Sequence, residues 1–341
     1  MRAAGIVKIV IGSVLVVVLV AVMLGVIGGR FVWEQFGIEE RVREEIVEHL
    51  PDSIAPNNAE PSAEPEGAAS STTGGTIGGT SFAAADVREI DVEWISGEVV
   101  ISVGEGTEIQ VSESSAYELT ETQKMRCYLK EGKLRIKYCD NADNVWTWFM
   151  RGNYRIPSKT LYLTLPASLM DVLSELDIET VSADVRLDGA NAKSKDVDVS
   201  STSGDVAILN LEVRELAASS ISGAVTIENC RADELDIETV SGRVEVKSGS
   251  YTELDAQTVS GSIELVCTTA PKKMDAETVS GKIRVWLPGD TEFTARLSTV
   301  SGKLSSEIPG VMSDNQLMSG SGANRYTFES VSGSVQILAK P

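Results

Sequence analysis

LDIETVSGRVEV, residues 235 to 246, places apolar side chains at alternate positions on either side of a Ser-Gly pair. That is the pattern of two short strands, each with one buried face, joined at a bend. The unit recurs down the second half of the chain. With the Ser as marker the copies are Ser182, Ser203, Ser222, Ser241, Ser260, Ser280, Ser301 and Ser332, separated by 21, 19, 19, 19, 20, 21 and 31 residues. So regular a period defines a repeat protein, and no helical stretch separates the strands. The expected fold is all-β: a single-chain parallel β-solenoid with coil stacked on coil.

Aligned on the marker, the sequence falls into columns. Six residues before it stand Leu176, Val197, Leu216, Leu235, Leu254 and Met274, and four before it Ile178, Val199, Ala218, Ile237, Ala256 and Ala276. Between those two columns run Asp177, Asp198, Asp236, Asp255 and Asp275, so apolar side chains face in and acids face out. Three residues past the marker a second apolar run begins, at Val185, Val206, Val225, Val244, Ile263, Ile283, Leu304 and Val335. Gly follows the marker at Gly204, Gly223, Gly242, Gly261, Gly281, Gly302 and Gly333, with Ala183 the exception. A glycine fixed at one corner supplies either a positive φ or a place where coils approach too closely for a side chain. The Thr/Ser column two before the marker (Thr180, Ser201, Ser220, Thr239, Thr258, Thr278, Thr299, Ser330) is expected to stack hydroxyl on hydroxyl at the interstrand spacing of ~4.8 Å. This reads as a corner device and not as a row of catalytic serines.

The pattern begins before the regular array. Ile90, Val92, Trp94, Ser96, Gly97, Val99 and Ile101 repeat the column order, so Ser96 marks a first coil well ahead of Ser182. Between them Met125 to Leu129 and Leu134 to Tyr138 flank Glu131-Gly132 as a hairpin, and Leu161, Leu163 and Leu165 form a strand before Pro166. Residues 87–170 therefore read as an N-terminal β region and 171–341 as the regular coils. Trp146, Trp148 and Tyr154 crowd one segment, which suits either a cap on the open end of the stack or an exposed recognition loop.

Residues 9 to 27 carry no charge and are rich in Val, Leu and Ile, enough at ~1.5 Å per residue to cross most of a bilayer core. The expectation is a single-pass span over residues 1–30, with residues 9–29 in contact with the lipid bilayer. Arg2 and Lys8 favour a short cytoplasmic tail and an extracytoplasmic solenoid at a bacterial cell membrane. Ile38, Val42, Ile46 and Leu50 mark a short amphipathic helix in residues 31–50, ended by Pro51. Residues 51–86, rich in Pro, Gly, Ser, Ala and Glu, read as a flexible tether with a reach of roughly 30 to 36 Å.

With 30 basic against 50 acidic residues the net charge is −20, which excludes nucleic acid as a partner. The lone histidine, His49, falls on the juxtamembrane helix, and no phosphate loop, nucleophile elbow or Cys/His metal spacing is present. No cofactor is expected. Cys230 and Cys267 lie two coils apart, beyond disulfide reach, and should be free and buried. The acidic column, above all Asp236, Asp255 and Asp275, brings like charges close together and is the weak candidate for divalent cations or a cationic peptide. The long interval between Ser301 and Ser332 reads as a loop insertion, holding Glu307, Asp314 and Arg325.

LDIETVSGRVEV, preceded by LYLTLPASLMDVLSELDIETVS and followed by KIRVWLPGDTEFTARLSTVSG, resembles a bacterial domain-of-unknown-function family that carries an adhesin label. The likeness covers residues 87 to 341. It implies an envelope-associated β-solenoid and transfers no catalytic residue. The leading expectation is a non-enzymatic, membrane-tethered module for adhesion or envelope sensing, binding an envelope protein, a glycan or a cationic peptide. The alternatives are a carbohydrate-active enzyme on a β-helix, which needs a cleft gathering two carboxylates and a basic residue, and a passive structural spacer.

Overall fold

The structure, a computed structural model, describes residues 77–139, 156–313 and 315–340. The alternation seen in the sequence becomes one continuous parallel ladder. Leu235 pairs with Leu216 on one side and Leu254 on the other, and the next layer adds Met274. After the bend, Val225, Val244, Ile263 and Ile283 stack in the same way. Leu235, Ile237, Val244, Val246, Ile263, Leu265 and Ala276 are fully enclosed. Each coil contributes about four such side chains, at roughly 1.5 to 3 kcal/mol apiece before conformational entropy is set against them.

The layers do not follow the chain at either end. The Ser96 coil stacks directly on the Ser182 coil, Ile90 on Leu176 and Val99 on Val185, across 86 residues of intervening chain (182 − 96). On its outer side it carries Lys133–Lys137 along one arm and Lys159–Pro166 along the other. At the far end, Asn324–Ser332 lies between Lys273–Ser280 and Phe293–Thr299, and Val335–Lys340 lies between the matching second arms. The last coil in sequence is thus the next-to-last in space. What reads in sequence as a loop insertion before Ser332 is chain that crosses the end of the stack and returns one layer inward. The physical gain is that the C-terminal strand is paired on both edges, where an outermost strand would expose one.

Antiparallel strands close both ends. Arg126–Lys130 pairs with Lys133–Lys137 through the Glu131-Gly132 turn, both of whose residues take positive φ (53° and 83°), as the sequence indicates. Glu108–Ser115 covers Lys159–Pro166, and Ile77–Ala83 covers Glu108–Ser115. At the other end Gln316–Ser319 and Val311–Ser313 cover Phe293–Thr299. The strand Ile77–Ala83 corrects the tether read for residues 51–86 over its own length, and residues 51–76 lie outside the described residues. A sheet-edge strand is held by its backbone, so Gly78 and Gly79 do not prevent it.

The corner works differently from the expected hydroxyl ladder. Ser220, Thr239 and Thr258 each donate to the corner carbonyl of the coil before, Gly204, Gly223 and Gly242 in turn, at 3.0, 3.2 and 3.2 Å. The oxygens of Ser201, Ser220 and Thr239 accept the amides of Gly204, Gly223 and Gly242 in their own coils, at 2.8, 2.9 and 3.0 Å. The side chain bridges the backbone of one coil to that of the next. The glycines owe their place to close approach. Among the described corner glycines only Gly97 has a positive φ, 111°, whereas a β-carbon at Gly204, Gly223, Gly242, Gly261, Gly281, Gly302 or Gly333 would collide with the corner carbonyl of the adjacent layer.

No helix among the described residues is long and apolar enough to cross a membrane. Residues 9–29, 31–50 and the segment with Trp146, Trp148 and Tyr154, on which the anchor, amphipathic helix and cap were read, lie outside the described residues. Cys127, Cys139, Cys230 and Cys267 are free and buried, and Gly249 separates Cys230 from Cys267 in the stack.

Candidate functional site

The first arm of every coil presents its outward residues on one sheet face, in register from layer to layer. One column runs Asp91, Asp177, Asp198, Ala217, Asp236, Asp255, Asp275 and Thr327. Beside it runs another: Glu93, Glu179, Ser200, Ser219, Glu238, Gln257, Glu277 and Glu329. The columns are acidic on either side of a neutral stretch at Ser200, Ala217 and Ser219, and several of the acids are paired with cations. Lys133 and Arg135 each reach Asp91 at 3.1 Å, Lys137 reaches Glu93 at 3.5 Å, and Lys273 reaches Asp275 at 2.9 Å. A third outward column is mostly aliphatic: Val181, Thr202, Ile221, Val240, Val259, Val279, Val331 and Val300, the position before each marker Ser, with Ile221 and Val300 exposed and the others half-buried. An acidic stripe therefore runs alongside an apolar ridge.

The stacking leaves its mark on protonation. Burial, then the negative charges of Asp91 and Glu175, push Asp177 up to about 7, and Glu179 is raised to about 7 by burial and by Asp177, Glu93, Asp91 and Asp198. Burial with Asp236 and Asp275 raises Asp255 to about 6, and burial with Glu329 raises Glu277 to about 7. Each of these folded-state values lies above that of the unfolded chain, near 4. The folded state therefore holds more protons than the unfolded one between about pH 4 and pH 7, and stability falls as pH rises through that window. Thermal unfolding followed by circular dichroism should give a midpoint higher at pH 5 than at pH 8 by about 5 °C or more. Asp177→Asn should flatten the dependence; a midpoint that rises towards pH 8 would contradict the assignment.

Asp236, Asp255 and Asp275 are adjacent in the register, as their spacing indicates. Among the described residues, no group of three or more His, Cys, Asp or Glu is arranged to hold a metal ion. The outward geometry spreads the carboxylates along a flat face instead of converging them on a point. Of the marker serines, Ser203, Ser222, Ser241 and Ser301 stand in bends and Ser182, Ser260, Ser280 and Ser332 in strands; Arg325 lies in Asn324–Ser332, Glu307 just after Leu304–Ser306, and Asp314 outside the described residues.

One buried cluster is not signalled by the repeat. In the outermost layers the Thr column is occupied by Trp94, which pairs with Thr180, and the Gly column by Lys159, which pairs with Gly97. Trp94 Nε1 donates to the Lys159 carbonyl at 3.2 Å, the bond that a threonine hydroxyl makes elsewhere. Lys159 Nζ turns inward and donates to Glu113 Oε2 at 2.7 Å, the Gln123 carbonyl at 2.8 Å and the Tyr138 carbonyl at 2.5 Å. It lies 4.0 Å from the centre of the Tyr138 ring and 4.8 Å from that of Trp94. Glu113 Oε1 accepts the Met125 amide at 2.9 Å. Burial draws the Lys159 pKa below its ordinary value while Glu113 opposes the change. With all three ammonium donors engaged, Lys159 staples the end layers together. The available signal is the break in the Thr column at Trp94.

A second corner carries asparagines. Asn191, Asn210, Asn229 and Ser248 take positive φ of 63°, 52°, 55° and 61°, a region that asparagine tolerates. Asn229 Nδ2 donates to Asn210 Oδ1 at 2.8 Å, and Asn210 Nδ2 to Asp188 Oδ1 at 3.1 Å, forming a side-chain ladder at that turn.

These features define an all-β solenoid of stacked coils with closed ends and one long outward sheet face. The family model described as Toastrack DUF4097 matches residues 87–338, and the chain belongs to that family. No curated protein matches it. Among solved structures, a putative lipid binding protein from Parabacteroides distasonis overlaps with a TM-score of 0.48 at 16% identity, covering 78% of this chain and 98% of the other. A putative adhesin from Bacteroides fragilis gives 0.45 at 14%, covering 77% and 97%, and one from Parabacteroides distasonis 0.45 at 12%, covering 78% and 98%. Overlaps this loose carry no functional argument.

Proposed function

We propose that the chain is a non-enzymatic, adhesin-like binding module of the bacterial envelope, tethered by residues 9–29 and presenting the sheet face of its solenoid to a cationic polypeptide. The observation that carries the reading is the acidic columns set beside the Val181–Val300 ridge. An acidic stripe attracts a cationic partner over a distance and an apolar ridge holds it after contact, which separates this face from a merely solvated one. The displaced carboxyl groups, Asp177, Glu179, Asp255 and Glu277, line an open face where no substrate bond would be enclosed between them.

The test is binding of a Lys/Leu amphipathic peptide to the purified full chain by calorimetry, at low and high salt. The expected result is tenfold or greater weakening when Asp236, Asp255 and Asp275 are together replaced by Asn, with a matching loss at high salt. Equal affinity of the triple variant, or affinity indifferent to salt, would remove the acidic face from the account.

A further inference from the structure

Where the first arms begin, the same strands bear a groove of opposite character. It has a volume of about 480 Å³ and crosses five layers. One rim is the outward column Lys193, Glu212, Arg231, Ser250 and Thr269; the other is Arg214, Asp233, Thr252 and Lys272. The floor is small and largely apolar: Ser194, Val213, Ala232, Tyr251 and Ala270. Four cations against two carboxylates give this groove a net positive charge in a chain of net charge −20.

The cations are not equally committed. Lys193 bonds Glu212 at 2.9 Å, and Arg214 pairs with Asp196 and Glu215. Arg231 and Lys272, one on each rim, make no ion pair among the described residues. Ser250 and Thr269 share a hydroxyl bond at 2.6 Å along one rim. On the floor, Ser194 Oγ and Tyr251 Oη are enclosed without a hydrogen-bond partner among the described residues.

We infer that this groove binds an anionic glycan, a sugar chain bearing uronate carboxylates, laid along the stacking axis. The rise from coil to coil, ~4.8 Å, is close to the length of one hexose in an extended chain, so each layer meets about one sugar. Arg231 and Lys272 supply charge-assisted bonds to carboxylates on either side. Glu212, Asp233 and the rim hydroxyls accept from sugar hydroxyl groups, and the low floor of Val213, Ala232 and Tyr251 suits the apolar C–H face of a sugar ring. The groove's excess of cations disfavours the cationic partner proposed for the acidic face. Two carboxylates beside basic groups also meet the composition asked of a carbohydrate-active enzyme. Lys193, however, holds Glu212 below the usual carboxylate range, the wrong direction for a general acid, and the groove is assigned to binding.

The experiment is calorimetry of the full chain with a β-1,4-linked uronate tetrasaccharide, with cellotetraose as the neutral counterpart and tetraglutamate as an acidic peptide. The uronate should bind at least tenfold more tightly than either. Arg231→Ala together with Lys272→Ala, both on exposed rim positions, should weaken it tenfold or more, while Asp236→Asn, outside the groove lining, leaves it within about twofold of the parent. Circular dichroism of the double variant should match the parent, so a loss of binding is not a loss of fold. No uronate binding, equal binding of tetraglutamate, or an unaffected double variant overturns the inference.

Discussion

Lys159→Ala should lower the free energy of unfolding by about 3 to 5 kcal/mol, the range for removing one partner of a buried ion pair. The reason is the state it leaves behind. Glu113, 3% exposed, would be left buried without its cation, and the carbonyls of Gln123 and Tyr138 would lose their donor. Urea unfolding read by tryptophan fluorescence measures this directly, because Trp94 packs against Tyr138 at 5.0 Å and reports on the same corner. Lys159→Met combined with Glu113→Leu should recover only part of the loss, because it removes the uncompensated charge but still leaves the Gln123 and Tyr138 carbonyls without their donor and the Met125 amide without its acceptor. A single variant within about 1 kcal/mol of the parent would show that the pair contributes little and that end-strand pairing alone holds these layers.

The division between what could and could not be read from the sequence follows the repeat. Strand alternation, the hairpin at Glu131-Gly132 and the stacking of Val244 on Ile263 are all present in the columns, because a parallel in-register stack places identical positions of successive coils in contact. The Ser96 coil was also legible, since Ile90, Val92 and Val99 keep the column order across the long interruption. Spatial order was not. Counting residues between markers says how much chain lies between Ser301 and Ser332 but not which layer the chain returns to, and pairing of Asn324–Ser332 on both edges is a long-range preference with no local signature. The same holds for the Ile77–Ala83 strand, whose pairing with Glu108–Ser115 rests on backbone groups that composition does not report.

The binding faces divide in the same way. The acidic column follows from the spacing of Asp177, Asp236, Asp255 and Asp275, while the Val ridge was hidden inside the tetrapeptide used as a marker. The basic groove draws Lys193 and Arg231 from one column and Arg214 and Lys272 from another, each interleaved with Glu212 or Asp233 and with hydroxyl residues, so no column of the alignment turns basic. Lys159 was illegible for a further reason: it occupies a glycine position, with its ammonium set against the rings of Trp94 and Tyr138 where the regular coils carry Thr or Ser.

Gly242→Ala should be among the most damaging single substitutions in the regular coils, with an expected loss of about 4 kcal/mol or more. An added β-carbon would fall on the Gly223 carbonyl oxygen, far inside the ~3.3 Å at which carbon and oxygen ordinarily meet, and what it meets is backbone that cannot rotate aside. Relief requires the two coils to separate, which breaks the Thr239 bond to Gly223 and strains the ladder on both arms. Gly289→Ala, whose β-carbon would have only the Ala339 side chain nearby at 3.9 Å, should stay within about 0.5 kcal/mol and serves as the control. Gly242→Asn distinguishes the two reasons for a corner glycine. If backbone angle were the need, Asn would be tolerated better than Ala, as at Asn210 and Asn229; if close approach is the need, Asn should be at least as harmful. Ala183 agrees with close approach, because the layer beside it is the one whose corner residue, Gly97, takes a positive φ and a different path. Since each coil contacts only its neighbours, the damage at Gly242 should also weaken coupling between the two halves of the stack, and urea unfolding of Gly242→Ala should broaden or divide into two steps where the parent shows one.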